Sequence, residues 1–325
     1  MTNTPVEVAC RILAGICSTD EPLGELTTYR VGGTAAVMVR PRSIDDLGRV
    51  AEALAVTGLA VLVVGRGSNL LVADEGFRGI AVVLDDMTPD PERIEIVTDS
   101  REATVEVGAA AALPVVARRT VAAGLAGFEW AVGVPGSIGG AVRMNAGGHG
   151  SDMATSLESA QVFDLHHARW AWVGASSLGL RFRGSDLADH QIVLAARLRL
   201  SVRPTGEAEI GDTLLADIVR WRREHQPGGH NAGSVFVNPI PDLLPAARLI
   251  DEAGLRGFRI GGACVSTKHA NFIQADDGAT AADVRAVMET VRRRVHERTG
   301  HLLRSEIRLV GFDDVADEVG PGVQW

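Results

Sequence analysis

Residues 124–150 read GLAGFEWAVGVPGSIGGAVRMNAGGHG. Glycine recurs throughout, yet the stretch is not low-complexity sequence, because Glu129, Trp130, Pro135, Arg143, Met144 and Asn145 interrupt it. Such a mixture reads as a shaped loop system. Inside it, Gly133-Val134-Pro135-Gly136-Ser137-Ile138-Gly139-Gly140-Ala141 lets the backbone turn tightly and aim consecutive N–H groups at an anion, an arrangement suited to a pyrophosphate. A loop of the same character lies upstream, Gly65-Arg66-Gly67-Ser68-Asn69, after the apolar run AVLVV at 60–64. Neither loop is diagnostic alone. The loop at 65–70, G-x-G-x-x-L, lacks the third glycine of a G-x-G-x-x-G fingerprint, and neither loop ends in the Lys-Ser/Thr of a P-loop. Two such loops in one chain point to a nucleotide-type cofactor.

Outward from these loops the pattern is mixed α and β. A helix is expected over 43–58, with Ser43 and Asp46 as a capping box and Gly58 as its stop. Strands are expected at 60–64, 70–72, 80–84, 93–98, 103–107, 159–165, 171–173 and 191–200, and a helix at 113–123. Beyond a linker at 202–206 come helices at 211–224, 244–253 and 280–299. The last of these is capped by Thr280 and Asp283 and ended by Gly300. A final strand is expected over 302–310, with Leu303, Ile307 and Leu309 on one face and Arg304, Glu306 and Arg308 on the other. The expected division is 1–90, 91–203 and 204–325.

Composition narrows the function classes. The chain has 325 residues, 46% hydrophobic, 22% charged and 4% aromatic. That excludes a disordered chain and gives room for two or three domains. Thirty-two Lys and Arg against 41 Asp and Glu give net −9, which argues against nucleic acid as a partner. Three cysteines without a C-x-x-C, and an N-terminus without a signal-peptide pattern, point to the cytoplasm. No apolar run is long enough for a membrane span. The histidines show no zinc spacing, so no metal is expected; His166 and His167 would point to opposite faces of a strand.

The ordered motifs resemble the UDP-N-acetylenolpyruvoylglucosamine reductase (MurB) family. They are TTYRVGG at 27–33, VVGRGSNLLV at 63–72, the quoted stretch at 124–150, AGSVFVNP at 232–239, LIDEAGL at 249–255 and RSEI at 304–307. The resemblance implies an α+β, vanillyl-alcohol-oxidase-type (PCMH-type) FAD-binding fold in two subdomains, with a C-terminal α+β substrate domain. It implies an enzyme, UDP-N-acetylmuramate dehydrogenase, working in peptidoglycan precursor synthesis with non-covalent FAD and with NADPH as hydride donor. Its substrate partner would be the enolpyruvyl ether of UDP-N-acetylglucosamine, and a monomer is favoured. By the same resemblance Arg183, Ser234 and Glu306 are the catalytic residues, with Arg181 as a rival to Arg183. Flavin contacts fall on Gly65, Gly67, Ser68, Asn69, Gly133, Pro135, Gly136, Ser137, Gly140 and Asn145. Substrate contacts fall on Asn238 and Lys268. Two departures are Phe182, where a tyrosine is common, and Val237, where many relatives carry lysine. Tyr29 is the sole tyrosine, so the chain resembles the shorter type (type II), which has no lid tyrosine.

These residue types suit the chemistry. Hydride addition to an enolpyruvyl double bond leaves enolate charge beside a carboxylate, which needs aimed donors in a dry site. A fixed guanidinium, a carboxyl kept protonated by burial and a hydroxyl able to give up a proton supply them. Two other readings stay open. One is an oxidase on the same fold, with flavin attached through His149. The other is a non-catalytic flavin-binding module.

Overall fold

A computed structural model of the chain describes residues 3–87, 90–204, 206–240 and 243–312. The first block holds α1 (Pro5–Ile12), β1 (Cys17–Ser18), β2 (Ala35–Val39), α2 (Ile44–Thr57), β3 (Val61–Val64), β4 (Leu70–Val72) and β5 (Phe77–Val83). Its sheet runs β1-β2-β5-β3, with β2, β5 and β3 parallel and β1 antiparallel at the edge. Parallel strands covered on both faces are apolar along their length. Val37, Val39, Ile80 and Val82 accordingly join α2 in the larger core, while Met38, Leu62, Val64 and Ala81 fill another. α2 starts where Ser43 Oγ accepts the Asp46 N–H and stops at Gly58 in the left-handed region. Only half of the expected capping box forms, because the Asp46 carboxylate accepts the Arg42 N–H.

The second block holds β6 (Ile94–Thr98), β7 (Glu102–Gly108), α3 (Leu113–Ala122), β8 (Leu125–Ala126), α4 (Ile138–Met144), β9 (Gly147–Gly148) and β10 (Ser151–Asp152). It continues with α5 (Met153–Ser156), β11 (Leu157–Asp164), β12 (Arg169–Gly174) and β13 (Gln191–Val202). The antiparallel sheet order is β12-β11-β13-β7-β6, and β8 pairs β13. The quoted stretch is thus not loop throughout, since α4 occupies its centre. Its glycines disfavour a helix intrinsically, but they permit close packing: a Cβ at Gly139 would stand 3.1 Å from Ala109 Cβ. His166 and His167 lie in the turn between β11 and β12, not along a strand, and the His166 ring stacks on His190 at 3.6 Å.

The third block holds α6 (Ala208–His225), α7 (Ala246–Glu252), β14 (Arg259–Ile260), β15 (Ala263–Val265), β16 (Ile273–Ala275), α8 (Ala281–Thr299) and β17 (Arg308–Val310). Val284, Val287, Met288, Val291 and Val295 recur at helical spacing and bury one face of α8. They share a core with Ala263, Val265 and Ile273, which also takes in Tyr29, Val31 and Leu71 from the first block. α6 leans the other way, placing Ile218 in the large core of the first two blocks. The strand expected over 302–310 is shorter. Residues 304–306 pair with 235–237 through the Phe236–Ser305 bridge, and only Arg308–Val310 runs as β17, parallel to β4. The segment changes partners midway, so no single ladder spans it. Thr205 of the linker and residues 313–325 of the third expected division lie outside the described residues.

Candidate active site

A cavity of about 470 Å³ opens where the three blocks meet. One wall is backbone. Gly65 to Asn69 follow β3, and their N–H groups donate to no acceptor among the described residues; the same holds for Gly136 and Ser137. These groups form a run of donors against an anion site, as a dinucleotide diphosphate requires. The loops are close enough that a Cβ on Gly65 would lie 2.6 Å from Ser137 Oγ. Gly139 and Gly140 differ from the expectation. Their N–H groups are already held by the Ala109 carbonyl and by Ser137 Oγ, the N-cap of α4. The residues present therefore fit the diphosphate of FAD through 65–69 and 136–137.

The opposite wall is built from side chains. Phe182 and Arg183 form the tip of a tight turn closed by the Arg181–Gly184 hydrogen bonds, with Arg183 at φ 58°. That backbone aims Arg183 inward, where Nε stands 2.9 Å from Glu306 Oε1 and an Nη1–H donates to the Gly147 carbonyl at 3.1 Å. Arg181 points away, paired with Asp186 at 2.6 Å. The structure thus separates the two rivals: Arg183 lines the cavity and Arg181 does not. Glu306 is held by its backbone, its N–H on Val235 O at 2.8 Å and its carbonyl receiving Asn69 Nδ2 at 3.0 Å. Burial pushes the Glu306 carboxyl above its ordinary value, against the opposing pull of Arg183 and Arg304.

Ser234 lines the same cavity, one residue before the ladder that carries Glu306. Gly233 at φ 78° makes the turn into it, and its N–H is held by Asn231 Oδ1. Asn271, which the sequence reading passed over, clamps the following residues. Its carbonyl accepts the Val235 N–H, its Oδ1 the Phe236 N–H, and its Nδ2 donates to Phe236 O. Tyr29 lies wholly buried in the core that also contains Ala232, Val235 and Phe236, so it supports this segment from below and does not face the cavity.

Eight of the expected flavin residues line the cavity: Gly65, Gly67, Ser68, Asn69, Pro135, Gly136, Ser137 and Gly140. Gly133 and Asn145 lie outside the lining. Gly133 makes room for α6, since a Cβ there would stand 2.7 Å from Arg222 Cδ. Asn145 ends α4 at φ 41°, with its amide committed to Asp152, Arg181 O and Ala154 N. Asn238 and Lys268 also lie off the lining. Asn238 accepts the Ala246 N–H at 3.0 Å, and the exposed Lys268 ammonium donates to the Arg223 carbonyl.

The cavity's charge is the reverse of the chain's. Arg66, Arg143, Arg183, Arg222 and Arg308 line it against one carboxylate, Glu306. In a chain of net −9 this local excess of cations marks an anion site. Arg222, in the last turn of α6, stands outside every motif quoted from the sequence. Burial pushes its guanidinium below the ordinary value, and no carboxylate among the described residues counters this. Beside it, Gln226 Oε1 is buried without a hydrogen-bond partner among the described residues. A half-buried cation with no carboxylate partner among the described residues, and an open acceptor, both facing one cavity, are groups suited to a polar ligand.

A parallel-sheet block and an antiparallel-sheet block that meet across glycine loops define a flavin-binding scaffold, and residues 35–166 match the FAD binding domain. Residues 225–310 match the C-terminal domain of UDP-N-acetylenolpyruvoylglucosamine reductase. The chain belongs to the UDP-N-acetylenolpyruvoylglucosamine reductase family. It is 46% identical to that reductase from Acidiphilium cryptum (strain JF-5), over 90% of this chain and 91% of the relative. It is 40% identical to the reductase from Heliobacterium modesticaldum (strain ATCC 51547 / Ice1), over 90% of each. The crystal structure of the reductase from Thermus caldophilus superimposes with a TM-score of 0.73 at 35% identity, covering 89% of this chain and 97% of that one. The fold is the vanillyl-alcohol-oxidase-type FAD-binding fold with a C-terminal α+β domain, and the cofactor is FAD. Among the described residues no helix is long and apolar enough to cross a membrane.

Proposed function

We propose that this chain reduces the enolpyruvyl ether of UDP-N-acetylglucosamine to UDP-N-acetylmuramate, using NADPH and FAD, in peptidoglycan precursor synthesis. The observation that carries this reading is the convergence of Arg183, Glu306 and Ser234 on one arginine-lined cavity whose facing wall offers backbone donors. Bound FAD supplies hydride chemistry at that wall. The protein's own groups do the rest. Arg222, with Arg66 at the mouth, meets phosphate charge. Arg183 presents a fixed cation where enolate charge develops, and Glu306, whose carboxyl burial pushes above its ordinary value, stands beside it to hydrogen-bond the same charge when it carries its proton. Ser234 gives its hydroxyl proton to the adjacent carbon of the substrate; an enolate is basic enough to take it.

One chain contributes every one of these residues, which supports a monomer as the working unit. The unpaired thiols of Cys10, Cys17 and Cys264 support a reducing compartment, the cytoplasm. The test is direct. The purified protein is expected to be yellow, to release intact FAD on denaturation, and to oxidise NADPH only when the enolpyruvyl sugar nucleotide is present. Flavin that stays with the denatured chain, or oxygen consumption without NADPH, would favour an oxidase instead.

A further inference from the structure

Two of the cavity's arginines share one carboxylate that does not itself line the cavity. Arg143 Nη2 reaches Asp189 Oδ1 at 2.7 Å, and Arg308 Nη2 reaches the same oxygen at 2.6 Å. Arg143 belongs to α4 in the second block. Arg308 opens β17, which is bonded to β4 of the first block. The side chains of Arg143, Arg308 and Asp189 are only 22%, 20% and 28% exposed, so solvent screens them weakly. The segment carrying Asp189 also takes Arg143 on the carbonyls of Leu187 and Ala188, at 2.8 and 2.7 Å. Arg308 stands two residues after Glu306, and the backbone from 306 to 308 is fixed at both ends by Asn69. Two guanidiniums drawn to one oxygen repel each other strongly once that oxygen loses its charge.

We propose that Asp189 is a positioning residue for the reduction, tying Arg308 to Arg143 so that the segment 306–308 holds Glu306 against Arg183 at the cavity. This rests on the reductase reading given above. Glu306 faces Arg183 from the turn at 181–184, and Arg304 and Arg308 come from its own segment. The neutral groups around it are Asn69 and Ser234. His190 adjoins Asp189 in sequence, with His166 stacked on it. The charges that act on Glu306 are the cations Arg183 and Arg304, and Arg308, two residues further along the same segment, is offset by Asp189. Its removal favours the Glu306 carboxylate and lowers that group's pKa.

The test compares holoenzymes of wild type, Asp189→Asn and Asp189→Glu. For Asp189→Asn the flavin content and the rate of flavin reduction by NADPH alone are expected to stay within twofold. Turnover with the sugar nucleotide is expected to fall at least tenfold, with the alkaline limb of its pH profile moved to lower pH. Asp189→Glu is expected to recover most of the loss. Wild-type turnover and an unmoved limb in Asp189→Asn would overturn the proposal. So would a loss of turnover that merely follows a loss of flavin and is not recovered by Asp189→Glu. A wild type inactive on the sugar nucleotide would overturn the reductase reading and this proposal together, whereas an active wild type with an indifferent Asp189→Asn removes Asp189 alone.

Discussion

The cavity's two walls are made of different material. The wall at 65–69 and 136–137 works through main-chain N–H groups, so what matters there is the path of the backbone. The wall of Arg183, Ser234 and Glu306 works through side-chain atoms, and its backbone serves to hold them. The difference teaches where each wall is vulnerable: the first to an added methyl, the second to an altered functional group.

The largest expected effect lies on the side-chain wall. Ser234→Ala should keep flavin content and spectrum while kcat falls on the order of a thousandfold, as loss of a general acid costs about 10²–10⁴; steady-state kinetics check it. Full turnover in that variant would make the two walls alike in function. On the backbone wall, Gly67 sits at φ 60° and a Cβ there would meet Leu26 O at 2.0 Å. Gly67→Ala should therefore lose about 2–4 kcal/mol of stability by strain and overlap, together with its flavin, in denaturant titration. Gly136, in the second loop, is the control. A Cβ there meets nothing closer than Leu113 Cδ1 at 3.3 Å, so Gly136→Ala should stay within about 1 kcal/mol of wild type.

A smaller effect is set by pH. The folded-state pKa of Glu306 is raised by burial, so the native state holds that proton more tightly than the unfolded chain does. Its contribution to stability is complete below the ordinary carboxylate value and is lost as pH rises through the folded value. Glu306→Gln should flatten this decline in a series of melting curves from mildly acidic to neutral pH. A modest change is expected in Ser137→Ala, which removes the cap of α4 and should cost about 1 kcal/mol in denaturant titration.

Much of this was legible in the chain because local chemistry announces itself. Ser43 and Gly58 mark α2, and Thr280, Asp283 and Gly300 mark α8, through capping that depends on neighbours in sequence. The glycine loops were legible as loops for the same reason. α4 was not, because what stabilises Ile138–Met144 is close packing on Ala109 and its neighbours, and small residues carry no periodic signal. The segment carrying Glu306 forms a shorter strand than its pattern suggests because its two partners, 235–237 and β4, are far away in sequence. The motif positions of Arg183, Ser234 and Glu306 were readable from resemblance, and the structure brings them to one cavity. Gly133 and Asn145 sit in the same motifs, yet one makes room for α6 and the other ends α4. Arg222 and Asp189 were invisible, since burial without a partner and a carboxylate shared by distant arginines are properties of three-dimensional placement alone.

The clasp between Asn69 and Glu306 spans 237 residues of chain. During synthesis at roughly 5–20 residues per second, the glycine loop of the first block leaves the ribosome about 12–50 seconds before its partner segment exists. In that interval the β4 edge has no β17, and the nascent chain has no Glu306 to set against Arg183. A chain halted anywhere short of residue 306 thus leaves Asn69 and the β4 edge without their partners, however completely its earlier blocks have folded.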